Sequence, residues 1–124
     1  METIEQRPYE LSLWEDLLTV GQDGNIQTDE RKLCVIGTDT IKSPIAAFDI
    51  QLNQKVNGEK ALTFSLNMTY WDEEEQKNLT NPYLTKLVNE RKVKLKWKGK
   101  WYDFVIKGVS EDSKSKVFTY TAKD

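Results

Sequence analysis

The stretch of sequence that most constrains the fold runs from residue 81 to residue 106, NPYLTKLVNERKVKLKWKGKWYDFVI. It opens with a helix signal, because Asn81 can accept a hydrogen bond as an N-cap and Pro82 suits the first helical position. The apolar residues that follow at helical spacing are Leu84, Leu87 and Val88. The pattern predicts one short α-helix from about Pro82 to Asn89.

From Arg91 onwards the sequence alternates as a β-strand does. A two-residue loop at Lys98-Gly99 would bring the apolar residues of two successive strands onto one face. The predicted pairs are Trp97 with Lys100, Leu95 with Tyr102, and Val93 with Phe104. The predicted neighbours on the opposite face are Lys96 with Trp101, which suits a cation–π contact, and Lys94 with Asp103, which suits an ion pair. Lysine is not the favoured first residue of a type I′ turn, so the pattern predicts the pairing rather than the turn type.

A second hairpin is predicted around Asn57-Gly58, with apolar residues at even positions on both sides. A three-residue loop, Val56-Asn57-Gly58, with Gly58 left-handed in a bulge, keeps these residues on one face. The predicted pairs are Leu52 with Leu62, Ile50 with Phe64, and Phe48 with Leu66. The strand over residues 62–70 is predicted to have one buried and one solvated face.

The other segments are assigned by their local composition. Residues 9–14 alternate as a strand, and residues 33–36 form a short apolar strand, with Ile41 turned inward beyond it. Residues 20–31 are rich in Gly, Asp, Asn and Gln and are predicted to be a loop or flap. Residues 72–78 are predicted to be a charged loop, and residues 117–122 a last strand pairing with residues 102–110.

Together these segments predict a mainly β (α+β) fold with about six strands. The expected architecture is an antiparallel β-barrel or sandwich with the short helix packed over one opening. At 124 residues the chain is one domain's length, and it is long enough to bury a core without disulfides or metals.

Composition narrows the classes of function. A net charge of −2 gives no reason to expect strong attraction to nucleic acids or membranes, and there is no run of about 18 apolar residues. Histidine is absent, which removes the commonest general base and metal ligand, and the single Cys34 cannot form an internal disulfide. No catalytic residue, cofactor or metal site is predicted, and the chain is not expected to be an enzyme.

Several runs of the sequence carry a family resemblance. They are RPYELSLWED at residues 7–16, KALTFSLNMTYWD at residues 60–72, NPYLTKLVNERKVKLKW at residues 81–97 and WYDFVIKGVSEDSKSKVFTYTAKD at residues 101–124. In this order they resemble the N-terminal domain of phage tail hub proteins, the tail-associated-lysin or prophage endopeptidase tail family of siphophages and their prophages. The resemblance covers nearly all of the chain.

The resemblance implies a tail-tube-like β domain that assembles as a homotrimer around the DNA-ejection channel. The implied location is the distal end of the virion tail, after synthesis in the bacterial host cytoplasm, next to neighbouring tail proteins such as the distal tail protein. Longer members of the family carry a wall-degrading domain, and this sequence ends before one could begin. Residues 1–124 are therefore expected to be a single tail-hub N-terminal domain without lytic activity, either a fragment of a longer protein or a short relative, and the end at Asp124 favours the fragment.

Three groups of side chains, the lysine row, the acidic run and the aromatic residues, each allow more than one interpretation. The lysine row from Lys92 to Lys100 could be a solvated strand face, a subunit contact or, with Trp97 and Trp101, a stripe that binds single-stranded nucleic acid. The acidic run over residues 72–75 could be a solvated loop or a cation site. The tryptophans and tyrosines could be core and interface anchors or a sugar-binding platform.

A structural role is the predicted function, with no sequence-specific nucleic-acid binding and no membrane insertion by this segment. The alternative is a stand-alone β binding module that recognises carbohydrate or peptide through exposed aromatic side chains. The predicted interface residues are Trp101, Lys94, Lys96 and Trp14.

Overall fold

A computed structural model describes residues 2–40 and 42–124 of the chain. The strands are β1 (Glu2–Thr3), β2 (Tyr9–Val20), β3 (Ile26–Thr38), β4 (Phe48–Gln54), β5 (Lys60–Asn67), β6 (Thr69–Asp72), β7 (Lys77–Thr80), β8 (Lys92–Trp97), β9 (Lys100–Asp112) and β10 (Val117–Lys123). The two helical segments are 3₁₀ helices, Ile4–Gln6 and Pro82–Lys86. Strands account for 62% of the chain and helix for 6%, which confirms the prediction of a mainly β protein.

The seven longer strands of the main sheet pair antiparallel in the order β4-β5-β10-β9-β8-β2-β3. The two-residue β1 adds to the outer edge of β4, and β6 and β7 form a separate two-stranded sheet. Ile36 near one end of the sheet and Leu52 near the other belong to the same buried cluster, so the sheet curls around its core. The Ala47 amide donates to the Ile36 carbonyl at 2.7 Å across the gap. Within the described residues this open sheet does not close into a barrel, so that part of the prediction is not confirmed.

The β8–β9 hairpin has the predicted register. Trp97 lies opposite Lys100, and the remaining predicted pairs follow along both strands. Both loop residues are left-handed, Lys98 with φ 54° and Gly99 with φ 74°, as a type I′ turn requires. The apolar face of this hairpin is buried in the core.

The predicted α-helix is a shorter 3₁₀ helix. The Asn81 side chain does cap it, accepting from the Tyr83 amide at 3.0 Å. The helix cannot reach Asn89 because the following backbone pairs with β9: the Glu90 amide donates to the Ile106 carbonyl at 2.9 Å. Glu90 is left-handed at φ 69°, and Val88 is exposed rather than on a buried helical face. Sheet pairing thus overrides the helical pattern at this point.

The β4–β5 hairpin is confirmed near its loop and differs further away. Gly58 is left-handed at φ 90°, and Leu52 lies opposite Leu62 as predicted. A β-bulge then shifts the register between Phe48 and Gln51, so Phe48 lies opposite Ser65 rather than Leu66 and is exposed. Ile50 remains buried, but inside the irregularity rather than in a regular pair with Phe64.

The register shift has two structural causes at the bulge. Asp49 adopts φ 51°, and the Ile50 amide donates to the Glu5 carboxylate at 3.2 Å. A side chain from elsewhere in the chain therefore satisfies a donor that the regular ladder would have used. The pattern of alternating residues carries no signal for such a partner.

The strand predicted over residues 62–70 is broken. β5 ends at Asn67, and Met68 separates it from β6. Ser65 is buried, which contradicts the predicted solvated face, and its hydroxyl lies 3.0 Å from that of Thr119 on β10. β10 pairs on both sides, with β9 as predicted and also with β5.

The predicted loop over residues 20–31 is wrong, because β2 and β3 form a long hairpin. Its turn is closed by the Gly21 amide, which donates to the Asn25 carbonyl at 2.8 Å, and Gly24 is left-handed at φ 82°. β2 pairs with β8 only as far as Trp14, and the hairpin continues beyond that point paired with itself. We call residues 16–31 the arm. The predicted strand at residues 33–36 is part of β3, and Ile41 lies outside the described residues.

The predicted charged loop at residues 72–78 is the turn of the β6–β7 hairpin with parts of both strands. The Asp72 carboxylate accepts from the amides of Glu74 and Glu75 at 2.9 and 3.2 Å. Asp112 does the same for Lys114 and Ser115 in the β9–β10 turn. An aspartate that bonds the backbone two and three residues on explains why both segments turn.

Candidate assembly face

The four predicted interface residues lie on the same outer face of the main sheet. Lys94 and Lys96 alternate along β8 with buried residues, while Trp14 on β2 and Trp101 on β9 lie on the two flanking strands. Lys96 is directly opposite Trp101. We call Trp14, Lys94, Lys96 and Trp101 the lysine–tryptophan face.

Trp101 is the most available aromatic side chain of this face. It is 50% exposed, and the Lys96 ammonium lies 5.7 Å from its ring centroid, which confirms the predicted cation–π contact. Such a contact at an exposed site contributes on the order of 0.5–1 kcal/mol. The Trp101 ring is not part of the hydrophobic core, so it is available for contact with a partner.

Trp14 is held in place by its neighbours. Its indole N–H donates to the Ser12 hydroxyl at 2.8 Å, and Ser12 is fully buried. The ammonium groups of Lys94 and Lys32 lie 4.5 and 5.6 Å from the Trp14 ring centroid. These contacts give Trp14 a structural part in the face, and Trp101 is the more exposed of the two tryptophans.

Acidic partners surround the lysines at the base of the arm. Lys92 contacts Asp16 at 2.7 Å and Glu30 at 3.3 Å. Lys94 pairs with Glu30 and lies 3.8 Å from Asp103, which confirms the predicted ion pair across the β8–β9 hairpin. Lys92 and Lys94 therefore face carboxylates of their own chain, which disfavours the interpretation of the lysine row as a nucleic-acid stripe.

The same contacts shift the ionisation of these groups. Hydrogen bonds and charge from Lys94, and then from Lys92, lower the pKa of Glu30 below its ordinary value of 4.5. The hydrogen bond to Asp16, with that to Glu30, raises the pKa of Lys92 above its ordinary value of 10.5. Both shifts favour the charged pair that ties the arm to β8.

The arm carries an apolar cluster that sequence reasoning missed. Val20 lies directly opposite Ile26, and Leu18 is two residues from Val20 on the same side of the ribbon. Leu18 is 70% exposed, Val20 73% and Ile26 71%. We call them the arm cluster. By strand alternation they continue the outer side that also holds Trp14.

An open cleft of about 420 Å³ lies where the two ends of the curled sheet approach each other. Tyr9 and Phe48 contribute its aromatic side chains, and Glu5 and Asp39 its carboxylates. Those carboxylates accept from the Ile50 and Tyr9 amides, each at 3.2 Å, so they already serve the backbone. The two carboxylates of the cleft therefore have a structural role.

Within the part of the chain that the structure describes, no group of three or more His, Cys, Asp or Glu side chains is placed to hold a metal ion. Of the helices in residues 2–40 and 42–124, none is long and apolar enough to cross a bilayer.

Burial raises the pKa of the Cys34 thiol, an effect that Lys86 and Arg91 partly offset.

Comparison of the chain with known proteins adds no family. No protein-family model matches the sequence, and no curated protein matches it either.

Proposed function

We propose that this chain is a structural module of a phage or prophage tail tip, without catalytic activity of its own. In this proposal it forms a homotrimeric ring around the DNA-ejection channel and contacts neighbouring tail proteins such as the distal tail protein. The sequence resemblance over residues 7–16, 60–72, 81–97 and 101–124 supports the choice of a tail protein. The arm is the structural observation that carries the choice of an assembly role.

The length and the exposed apolar side chains of the arm indicate a role in binding. A two-stranded ribbon is marginally stable alone in water, yet this one extends past β8 by six further residue pairs and a turn, roughly 20 Å. It places three aliphatic side chains, each at least 70% exposed, in one cluster. Burying each of them against a partner would contribute about 1.5–3 kcal/mol. Clustered apolar exposure of this kind marks an interaction surface.

The open sheet supports the same role. Its edges, along β3 and along the part of β4 beyond β1, present backbone groups that a neighbouring subunit can pair or cover. In a cyclic ring each subunit uses two different patches. The arm and the lysine–tryptophan face provide two such patches, and the tail-tube-like barrel of the resemblance would be completed by neighbours.

A second candidate is a stand-alone module that binds carbohydrate or peptide. The observation that favours it is the exposure of two tryptophans, Trp71 at 49% and Trp101 at 50%. Trp71 lies on β6 of the small sheet and Trp101 on β9 of the main sheet, so they belong to separate surfaces. That separation favours contact with a large partner over stacking on one sugar.

The proposed function is tested by locating the chain in particles. Antibodies against residues 1–124 should label the distal end of tails purified from the phage or induced prophage whose genome encodes this chain. Tails without label would contradict the proposal. In parallel, tryptophan fluorescence is titrated with cell-wall oligosaccharides and peptides; saturable binding by a chain absent from tails would favour the second candidate.

A further inference from the structure

We propose that the arm of one copy binds the β8–β9 turn of a second copy, around Lys96, Lys98, Lys100 and Trp101. This contact deepens the proposed function and rests on it only in taking another copy of the chain as the partner. It assigns the two halves of the subunit contact to named residues. The reasons are charge, apolar surface and position in the sheet.

Charge distinguishes the two surfaces. Residues 16–31 hold four acidic side chains and one basic side chain, a net charge of −3. Residues 96–100 hold three lysines and no acidic residue, a net charge of +3. Two carboxylates lie beside these lysines, Glu10 and Asp39. Glu10 pairs with Lys32, and Asp39 accepts from the Tyr9 amide, so the turn still adds local positive charge on a net negative chain. Such complementarity steers association and excludes wrong pairings.

The acidic groups at the base of the arm and those further out have different contacts. Asp16 and Glu30 contact Lys92 and Lys94 of their own chain. Asp23 lies in the turn, where hydrogen bonds from the Asn25 amide and side chain lower its pKa. Asp29 is exposed and lies opposite Leu17.

Apolar surface is also matched. The arm cluster is exposed on one side of the ribbon, and Trp101 presents a half-exposed indole beside Lys96. Aliphatic side chains packed on a tryptophan ring, with charged pairs around them, form the usual anatomy of an interface: an apolar centre and a polar rim. Neither half of this pair is needed to complete the core of its own subunit.

The positions of the two surfaces make the contact head-to-tail. β2 begins at the turn end of β8, with Tyr9 opposite Trp97, and runs away from it towards the arm. The arm and the β8–β9 turn therefore lie at opposite ends of the same strands, too far apart to meet within one copy. When the arm of one copy contacts the turn of another, the pair keeps one free turn and one free arm, which permits further copies to close a ring.

The test uses sedimentation velocity of the 124-residue chain from about 10 μM to about 1 mM, at low and high salt. The wild-type chain should associate, and salt should weaken the association. Ile26→Lys removes an arm-cluster side chain and opposes the lysines, so it should weaken association at least about tenfold. Lys100→Glu should do the same from the turn side. Val56→Lys is the matched control, because Val56 is a fully exposed apolar residue in the turn of another hairpin, and it should change nothing.

Mixing the two impaired variants gives the decisive measurement. The Ile26→Lys chain keeps an intact turn and the Lys100→Glu chain keeps an intact arm, so together they should form a dimer and nothing larger. Circular dichroism and thermal unfolding of each variant confirm that it is folded.

Three outcomes would overturn the contact: a wild-type chain that stays monomeric throughout, a mixture that stays monomeric, or a Lys100→Glu chain that associates like wild type, as arm-to-arm pairing would allow. Labelling of tails decides the proposed function separately. If the chain associates as expected but is absent from tails, the contact between copies is supported and the proposed tail function is rejected.

Discussion

At the scale of single residues, Asn81 does more than its sequence position indicates. It is fully buried, and its side-chain oxygen caps the 3₁₀ helix at the Tyr83 amide. Its amide nitrogen donates to the Ile45 carbonyl at 3.0 Å and to the Asn67 carbonyl at 2.9 Å. One side chain therefore joins the helix, the segment before β4 and the end of β5.

These three bonds separate capping from cross-linking. Asn81→Ser keeps a good capping oxygen but is too short to serve both carbonyls, and Asn81→Ala loses every bond. We expect Asn81→Ala to cost about 3 kcal/mol and Asn81→Ser about 2 kcal/mol, since buried carbonyls left unpaired add to the cost of the lost cap. Urea denaturation of the three proteins measures this. If Asn81→Ser is as stable as wild type, only the capping bond of Asn81 contributes to stability, and the two bonds to carbonyls do not.

Phe64 and Ser65 are adjacent on β5, and both are buried. The Phe64 ring stacks on Tyr120 of β10 with centroids 5.5 Å apart, whereas Ser65 contacts the Thr119 hydroxyl. Phe64→Ala should cost about 3–5 kcal/mol through the cavity it leaves, and Ser65→Ala about 1 kcal/mol through a lost hydrogen bond. Denaturation midpoints at constant slope test both values. Equal losses at the two positions would contradict this assignment of the two faces.

At the scale of elements, the arm shows where sequence pattern fails. Its turn, Gln22-Asp23-Gly24, has the same arrangement as Val56-Asn57-Gly58, with an Asx oxygen accepting the amide two residues on and a left-handed glycine. The second turn is recognisable because buried alternating strands flank it. The first was missed because both sides of the arm are largely exposed, so no buried alternating strands flank its turn.

The core hairpin β8–β9 could be predicted to the residue because one of its faces is buried, which ties register to sequence. Three other features depend on partners distant in sequence: the bulge at Asp49, the early end of the 3₁₀ helix and the pairing of β10 with β5. Strand parity in the sequence places Lys94, Lys96 and Trp101 on one face, whereas the position of Trp14 there depends on the pairing of β2 with β8, which only the structure shows. The arm cluster does not, since only the structure shows that its strands pair and leave it exposed.

The ion pairs at the base of the arm predict a pH dependence. Glu30 has a lowered pKa, so its stabilising contribution is present above its ordinary value of 4.5 and is lost as pH falls through the lowered value. Lys92 has a raised pKa, so its contribution is present below its ordinary value of 10.5 and is lost as pH rises through the raised value. The arm should therefore be held most firmly between these limits.

Amide hydrogen exchange along residues 17–28, corrected for the intrinsic effect of pH, measures the opening of the arm. Protection should decrease in acid and again in strong alkali while the core strands stay protected. Glu30→Gln should lower protection at neutral pH and remove the acid dependence. Arm protection that follows core protection at every pH would show that these ion pairs do not hold the arm separately.

At the scale of the whole molecule, the chain combines a self-sufficient core with surfaces left unused. The curled sheet buries apolar residues from seven strands in one cluster. The arm cluster and Trp101 remain outside that cluster, and substitutions there should leave the core intact. An assembly module has this division, because its folding and its assembly rest on different residues.

The most direct test of the proposed tail-tip role replaces Trp101 by Glu in the encoded protein. Trp71→Glu is the matched control, because Trp71 is equally exposed but lies on the small sheet. Thermal unfolding of the domain and incorporation of the protein into tails are measured for both variants. We expect both domains to unfold within about 4 °C of wild type, and only Trp101→Glu to lose incorporation. Normal incorporation of Trp101→Glu, or unfolding of its domain, would contradict the account.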